Sequence, residues 1–132
     1  MNVTSRFHLE PIPAAVRAGR SAVHTDSALA DLPEATKRDV SLVLSELVSN
    51  AVMASTAGTT PVSVEISRTE STVTIAVVND GTLQFDDALF AIPDPDAAQG
   101  RGLGIVHLLS KSVDITSTDG TTTVTAVLNV HD

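Results

Sequence analysis

Cysteine is absent from the chain, which removes disulfide frameworks, thiolate zinc sites and thiol nucleophiles together and fits a reducing compartment. Tryptophan and tyrosine are absent too, and the aromatics come down to Phe7, Phe85 and Phe90. A bound base or sugar would have to be held by aliphatic walls and polar contacts, because there is almost no stacking platform. Cations are scarce: eight Lys and Arg stand against sixteen Asp and Glu, a formal net charge of -8. Phosphate backbones are gripped mainly by clustered cations, so no direct contact with nucleic acid is expected. No apolar run approaches the roughly 20 residues of a membrane span, and residues 1–20 hold no apolar core behind a basic start. The expectation is a soluble, cytoplasmic protein with no membrane role.

What is present points to one ordinary domain. A chain of 132 residues can bury one core properly but is too short for two. Hydrophobic residues make up 42% and charged residues 18%, a globular balance in which 13 Ser and 16 Thr take the place of missing surface charge. There is no internal repeat and no linker, so residues 1–132 are read as a single domain.

Hydrophobic periodicity lays out the elements. Val3 to Leu9 reads as an opening strand ended by Pro11 and Pro13. Ala15, Val16, Gly19, Ala22 and Val23 recur at helical intervals, predicting an amphipathic helix that runs to about Asp31–Pro33. After Pro33 the strongest signal follows: Val40, Val43, Leu44, Leu47, Val48, Ala51 and Val52 form an unbroken apolar stripe, with Gly58 as its stop. The period then switches to two. Val62, Val64 and Ile66 alternate with polar residues, as do Val73, Ile75 and Val77 in the run Thr72 to Asn79, predicting an antiparallel pair. Asp80 to Gln99 is a long irregular stretch with Pro93 and Pro95, longer than ordinary connections. Leu103, Val106 and Leu109 restore a helical pattern. Ser112 to Thr118 and Thr121 to Val130 close the chain as a hairpin across Asp119-Gly120. The order β-α-α-β-β-loop-α-β-β lacks the regular alternation of a doubly wound sheet. It predicts an α/β (α+β) two-layer sandwich: a mixed, mostly antiparallel sheet with three helices on one face.

Three local patterns carry chemistry. Glu46 and Asn50 lie four residues apart on the strong helix, on the flank of its apolar stripe together with Asp39. Such a pair presents a carboxylate, suited to activating a hydroxyl, beside an amide oxygen suited to a hard cation such as Mg²⁺; it is equally the make-up of a solvated helix flank. Asn79-Asp80-Gly81 ends an apolar strand, either reaching into a pocket or simply turning the chain. Gly100-Arg101-Gly102-Leu103-Gly104 opens a helix, where bare N–H groups and the helix dipole favour phosphate, or where the glycines make a hinge. It is not the dinucleotide fingerprint, because position 105 is Ile, and no Walker A sequence exists. The four histidines show no metal-ligand spacing, and no Gly-x-Ser-x-Gly elbow is present.

Taken in order, Glu-x-x-x-Asn on a helix, a strand ending in Asn-Asp-Gly, a long loop and Gly-x-Gly-x-Gly before a helix resemble the Bergerat ATP-binding fold of the GHKL superfamily. Within it, Ser45-Glu46-Leu47-Val48-Ser49-Asn50-Ala51-Val52 resembles the anti-sigma-factor serine kinases and their actinobacterial relatives. The resemblance spans about Phe7 to Val130. It implies ATP and Mg²⁺ as cofactors, Glu46 as catalytic base and Asn50 as Mg²⁺ ligand. Gly100, Gly102 and Gly104 match its glycine box, with residues 80–100 as the ATP lid and Arg101 and Leu103 between the glycines at the phosphates. In the middle motif, where the family carries Asp-x-Gly-x-Gly, this chain has Asn79, Gly81 and Leu83. An amide still accepts from the adenine amino group, but a neutral bond replaces a charge-assisted one, a loss of roughly 1–2 kcal/mol.

The resemblance implies a serine protein kinase that binds a sigma factor and phosphorylates an anti-anti-sigma (STAS-type) partner, and it implies a homodimer formed through the opening strand and first helix. Two other readings stay open. One is a non-catalytic protein-binding switch of the same fold with weak or no ATP use, which Asn79 and the acidic residues Asp86, Asp87, Asp94 and Asp96 favour. The other is a detached histidine-kinase catalytic domain.

Overall fold

Why the chain folds as it does is clearest in its longest helix. In the computed structural model, which describes residues 3–54, 61–80 and 101–131, the stripe from Val40 to Val52 becomes one side of helix α2, Glu34–Ala54. Val40, Val43, Leu44, Leu47, Val48 and Ala51 are buried, and Val52 packs partly buried against them. Each fully buried Val or Leu contributes about 1.5–3 kcal/mol relative to exposure, so this stripe seats the helix. Glu34 in its first turn adds favourable charge at the positive end of the helix dipole.

Helix α1 spans Ala15–Thr25 and buries Ala15, Gly19 and Val23. It is shorter than its apolar pattern predicts. Asp26 leaves helical geometry with ψ of 120°, and its carboxylate accepts the Ala28 N–H at 2.9 Å. That bond starts a short 3-10 turn, Ser27–Leu29, so a capping aspartate ends the helix well before Asp31–Pro33.

Five strands form one sheet: β1 (Val3–Leu9), β2 (Val62–Arg68), β3 (Thr72–Asp80), β4 (Ser112–Thr118) and β5 (Thr121–Asn129). Their spatial order is β1-β2-β3-β5-β4. Every pairing among these strands is antiparallel, so the sheet expected to be mostly antiparallel is wholly so in the described residues. The β4–β5 hairpin accounts for this: β5 returns between β4 and β3, which leaves no parallel neighbours. Asp119 and Gly120 make the turn at φ of 53° and 78°, the left-handed geometry of a tight hairpin.

Alternation puts Val62, Val64 and Ile66 of β2, Val73, Ile75 and Val77 of β3, and Val124, Ala126 and Leu128 of β5 on one buried face. The helices cover that face: α1 packs on α2 and β1, α2 on β3 and β5, and α3 (Arg101–Leu109) on α2 and β4. The result is the expected two-layer α/β sandwich with three helices. None of the described helices is long and apolar enough to cross a membrane.

The helix layer is tied down by polar contacts at its edges. Arg68, 13% exposed, runs from the end of β2 to Asp31 at 2.5 Å and to the Ala28 carbonyl. Thr36, fully buried on α2, donates to the His131 carbonyl and accepts the His131 N–H at 2.9 Å. His131 Nε2 then meets Asp39 at 2.8 Å. Asp39, read from spacing as flanking Glu46 and Asn50, is thus engaged by the end of the chain.

Candidate functional site

Chain connections decide which residues meet. Residues 55–61 lead from α2 into β2, whose start lies beside the end of β3 (Ser63 opposite Val78). The same short link keeps the C-terminal half of α2, with Glu46 and Asn50, toward that end of the sheet. Helix α3 ends at Leu109, just before β4 begins at the opposite end (Ser112 opposite Val127). Helix α2 packs on both β3 and α3.

Asn79 is the decisive residue there. It is 3% exposed and continues the buried face of β3 that Val73, Ile75 and Val77 make below it. A polar side chain at the end of an aliphatic row needs a partner. Its Nδ2 donates to the Asp80 carbonyl at 2.9 Å, which turns Oδ1 the other way as an acceptor. Directly opposite on β5 stands Thr122, fully buried, and its hydroxyl pairs with Ser117 of β4 at 2.7 Å. Across three adjacent strands the floor changes from aliphatic to hydrogen-bonding at one level.

On α2, Glu46 and Asn50 are half-buried, one turn apart. Asn50 Nδ2 is buried and has no hydrogen-bond partner among the described residues. A buried N–H donor left unpaired costs about 1–3 kcal/mol, and it is ordinarily met by an acceptor such as a water or a ligand oxygen. Its Oδ1 is a hard oxygen donor of the kind Mg²⁺ takes, and Mg²⁺ needs only one or two protein ligands when phosphate supplies the rest. Asn50 thus fits a phosphate-bridged metal. Behind it, Ser45 is buried and donates to the Ser41 carbonyl, while Arg20 Nε donates to Ser45 Oγ, both at 2.7 Å.

Of the glycine motif, Arg101 to Gly104 form the first turn of α3 and Gly104 is buried. The glycines at 102 and 104 therefore lie inside the helix start. Asp80, read as the start of the lid, is the last residue of β3 and pairs with Thr121, while Gly81, Gly100 and the rest of that stretch lie outside the described residues, as do the side-chain positions of Arg101 and Leu103.

Sequence reasoning did not single out Thr122 and Ser117. A signal was available: in Thr121 to Asn129 the buried positions run Thr122, Val124, Ala126 and Leu128, so one threonine breaks an aliphatic row exactly opposite Asn79.

A family model described as the histidine kinase-like ATPase domain matches residues 9–128. The chain belongs to the histidine kinase-like ATPase family. Membership in this family implies ATP binding, consistent with a polar floor at the end of β3 under an asparagine-bearing helix. None of the curated proteins matches the chain in sequence. Among solved structures, the RsbU and RsbW domains of a Mycobacterium tuberculosis protein align over 97% of this chain at 19% identity and TM-score 0.74. This chain spans 32% of that one. The SiaB-SiaC complex of Pseudomonas aeruginosa aligns over 96% of this chain and 89% of the other, at 16% identity and TM-score 0.64. The Acinetobacter baumannii histidine kinase AdeS aligns over 97% and 68%, at 15% identity and TM-score 0.55. At these identities the likeness is one of fold, the GHKL ATP-binding fold.

Proposed function

We propose that this histidine kinase-like ATPase domain is a cytoplasmic, ATP- and Mg²⁺-dependent serine protein kinase of the anti-sigma type, binding a sigma factor and phosphorylating a serine on an anti-anti-sigma (STAS-type) partner. The observation that carries the reading is the unpaired, buried amide of Asn50, one helical turn beyond Glu46. Alignment with structures that include an RsbW domain and a SiaB-SiaC complex supports the general kind.

ATP with Mg²⁺ supplies the phosphoryl group when bound. Asn50 would hold the metal through Oδ1, and the bare N–H groups at the start of α3, with Gly102 and Gly104 leaving room, would meet phosphate oxygens. Asn79 would accept the adenine amino group through Oδ1, with Thr122 beside it, while the aliphatic side chains of the floor take the ring. Glu46 would accept the proton of the attacking serine hydroxyl. In a chain of charge -8, local donors of this kind are what offset triphosphate charge.

Glu46→Ala tests the assignment. Nucleotide binding should persist while phosphate transfer from labelled ATP to a STAS-type partner disappears; retained transfer removes Glu46 from the role of base. Asn79, in place of a carboxylate, supports a second reading, a protein-binding switch with weak ATP use. That reading expects no transfer by the unmodified protein and partner binding that is indifferent to nucleotide.

A further inference from the structure

Away from this site, the cations of an acidic chain gather in one place. Between α1 and the N-terminal half of α2 lies a cleft of about 360 Å³ lined by Arg20, His24, Glu34, Lys37, Arg38, Ser41 and Leu42. Three of the eight Lys and Arg residues of the chain converge there against a single carboxylate. Glu34 compensates poorly: it is 86% exposed and stands 3.8 Å from the Lys37 ammonium, whose side chain is only 16% exposed. The buried Lys37 stem holds its ammonium at the cleft, where its exposed partner Glu34 leaves room for a further anion. Arg38 has no ion pair or hydrogen bond to a described residue. Arg20 is held by one edge only, through Nε to Ser45 Oγ, which fixes the plane of its guanidinium while its terminal nitrogens remain available to a ligand.

We propose that this cleft is a second anion site, taking a phosphate dianion. Three cationic side chains, with the Ser41 hydroxyl beside them, match the charge and the several acceptor oxygens of phosphate better than those of a carboxylate. The volume lies within the range of about 300–1,000 Å³ usual for small-ligand pockets. Along α2, Arg38 and Asn50 are twelve residues apart, roughly 18 Å at 1.5 Å per residue, so the cleft does not include Asn50, although Arg20 reaches Ser45 beside Glu46. The proposal does not rest on the kinase reading.

The test is a titration of inorganic phosphate followed by backbone amide NMR at constant ionic strength, with chloride as the control ion. Saturable shifts confined to the amides around Arg20, Lys37, Arg38 and Ser41 are expected. Arg38→Glu, an exposed position, should weaken binding at least about tenfold, and Lys37→Gln should weaken it without charge reversal. Asn50→Ala should leave it unchanged. A parallel titration with O-phosphoserine separates the sources: tighter binding than inorganic phosphate indicates a phosphorylated side chain, and equal or weaker binding indicates a free small phosphate. Shifts that chloride reproduces, that survive Arg38→Glu, or that vanish in Asn50→Ala would overturn the proposal.

Discussion

Asn79 and Thr122 face each other across β3 and β5, both buried, at the one level where the core side of the sheet turns polar. The pairing separates binding from stability. Thr122→Val keeps shape and removes one neutral hydrogen bond, so nucleotide affinity should fall about five- to tenfold, corresponding to roughly 1 kcal/mol. Ser117, its exposed partner, can turn to water, and the denaturation midpoint should hardly move. Calorimetry and urea unfolding on the same variant check both halves.

Asn79→Asp should act in opposite directions on the two quantities. It removes the donor to the Asp80 carbonyl and places a carboxylate in a buried position, lowering unliganded stability by about 1–3 kcal/mol. The same change supplies an ionised acceptor for adenine, and ATP affinity should rise about tenfold. A variant that is less stable and binds no better would show that Asn79 does not meet the base.

Thr36 makes a different prediction, confined to the end of the chain. Its hydroxyl bridges the N–H and carbonyl of His131, fixing the exit of β5 against α2. Thr36→Val should cost about 1–2 kcal/mol in equilibrium unfolding. Amide exchange at His131 should speed up while that of the central strand β3 slows or speeds only with global stability.

Two glycines should respond oppositely to alanine. At Gly19, within α1, an added Cβ would stand 3.6 Å from Leu44 and 3.7 Å from Leu9, ordinary contact distances. Gly19→Ala should therefore stabilise by about 0.5–1 kcal/mol through helix propensity. At Gly120 nothing lies within 4 Å of the added atom, but φ is +78°. Gly120→Ala should destabilise by about 1–2 kcal/mol from backbone strain alone, a difference thermal unfolding resolves.

Periodicity alone reached the element order, the buried stripe of α2 and the Asp119-Gly120 hairpin, because each is dictated locally by burial or by backbone geometry. The end of α1 was not legible in the same way. Ala22 and Val23 continue a helical pattern, yet Asp26 caps the next turn, and such competition is decided by one side-chain bond. Arg68 is nearly buried because its partners Asp31 and Ala28, distant in sequence, meet it only in the fold. Glu46, Asn50 and Asn79 could be proposed from residue type, spacing and the family resemblance, whereas the burial of Asn79 and the unpaired Asn50 amide came only with the fold. Thr122 escaped because a threonine among five neighbouring threonines and valines acquires its meaning only from the residue opposite. The cleft cations were likewise invisible, as Arg20 and Arg38 meet only when α1 folds onto α2.

Titration of Mg-ATP into the purified protein by calorimetry tests the central claim most directly. Saturable one-site binding is predicted, at millimolar nucleotide or below, strongly weakened by Asn50→Ala and retained in Glu46→Ala. No heat of binding at millimolar Mg-ATP, or binding that Asn50→Ala leaves untouched, would contradict the nucleotide site proposed at the end of β3.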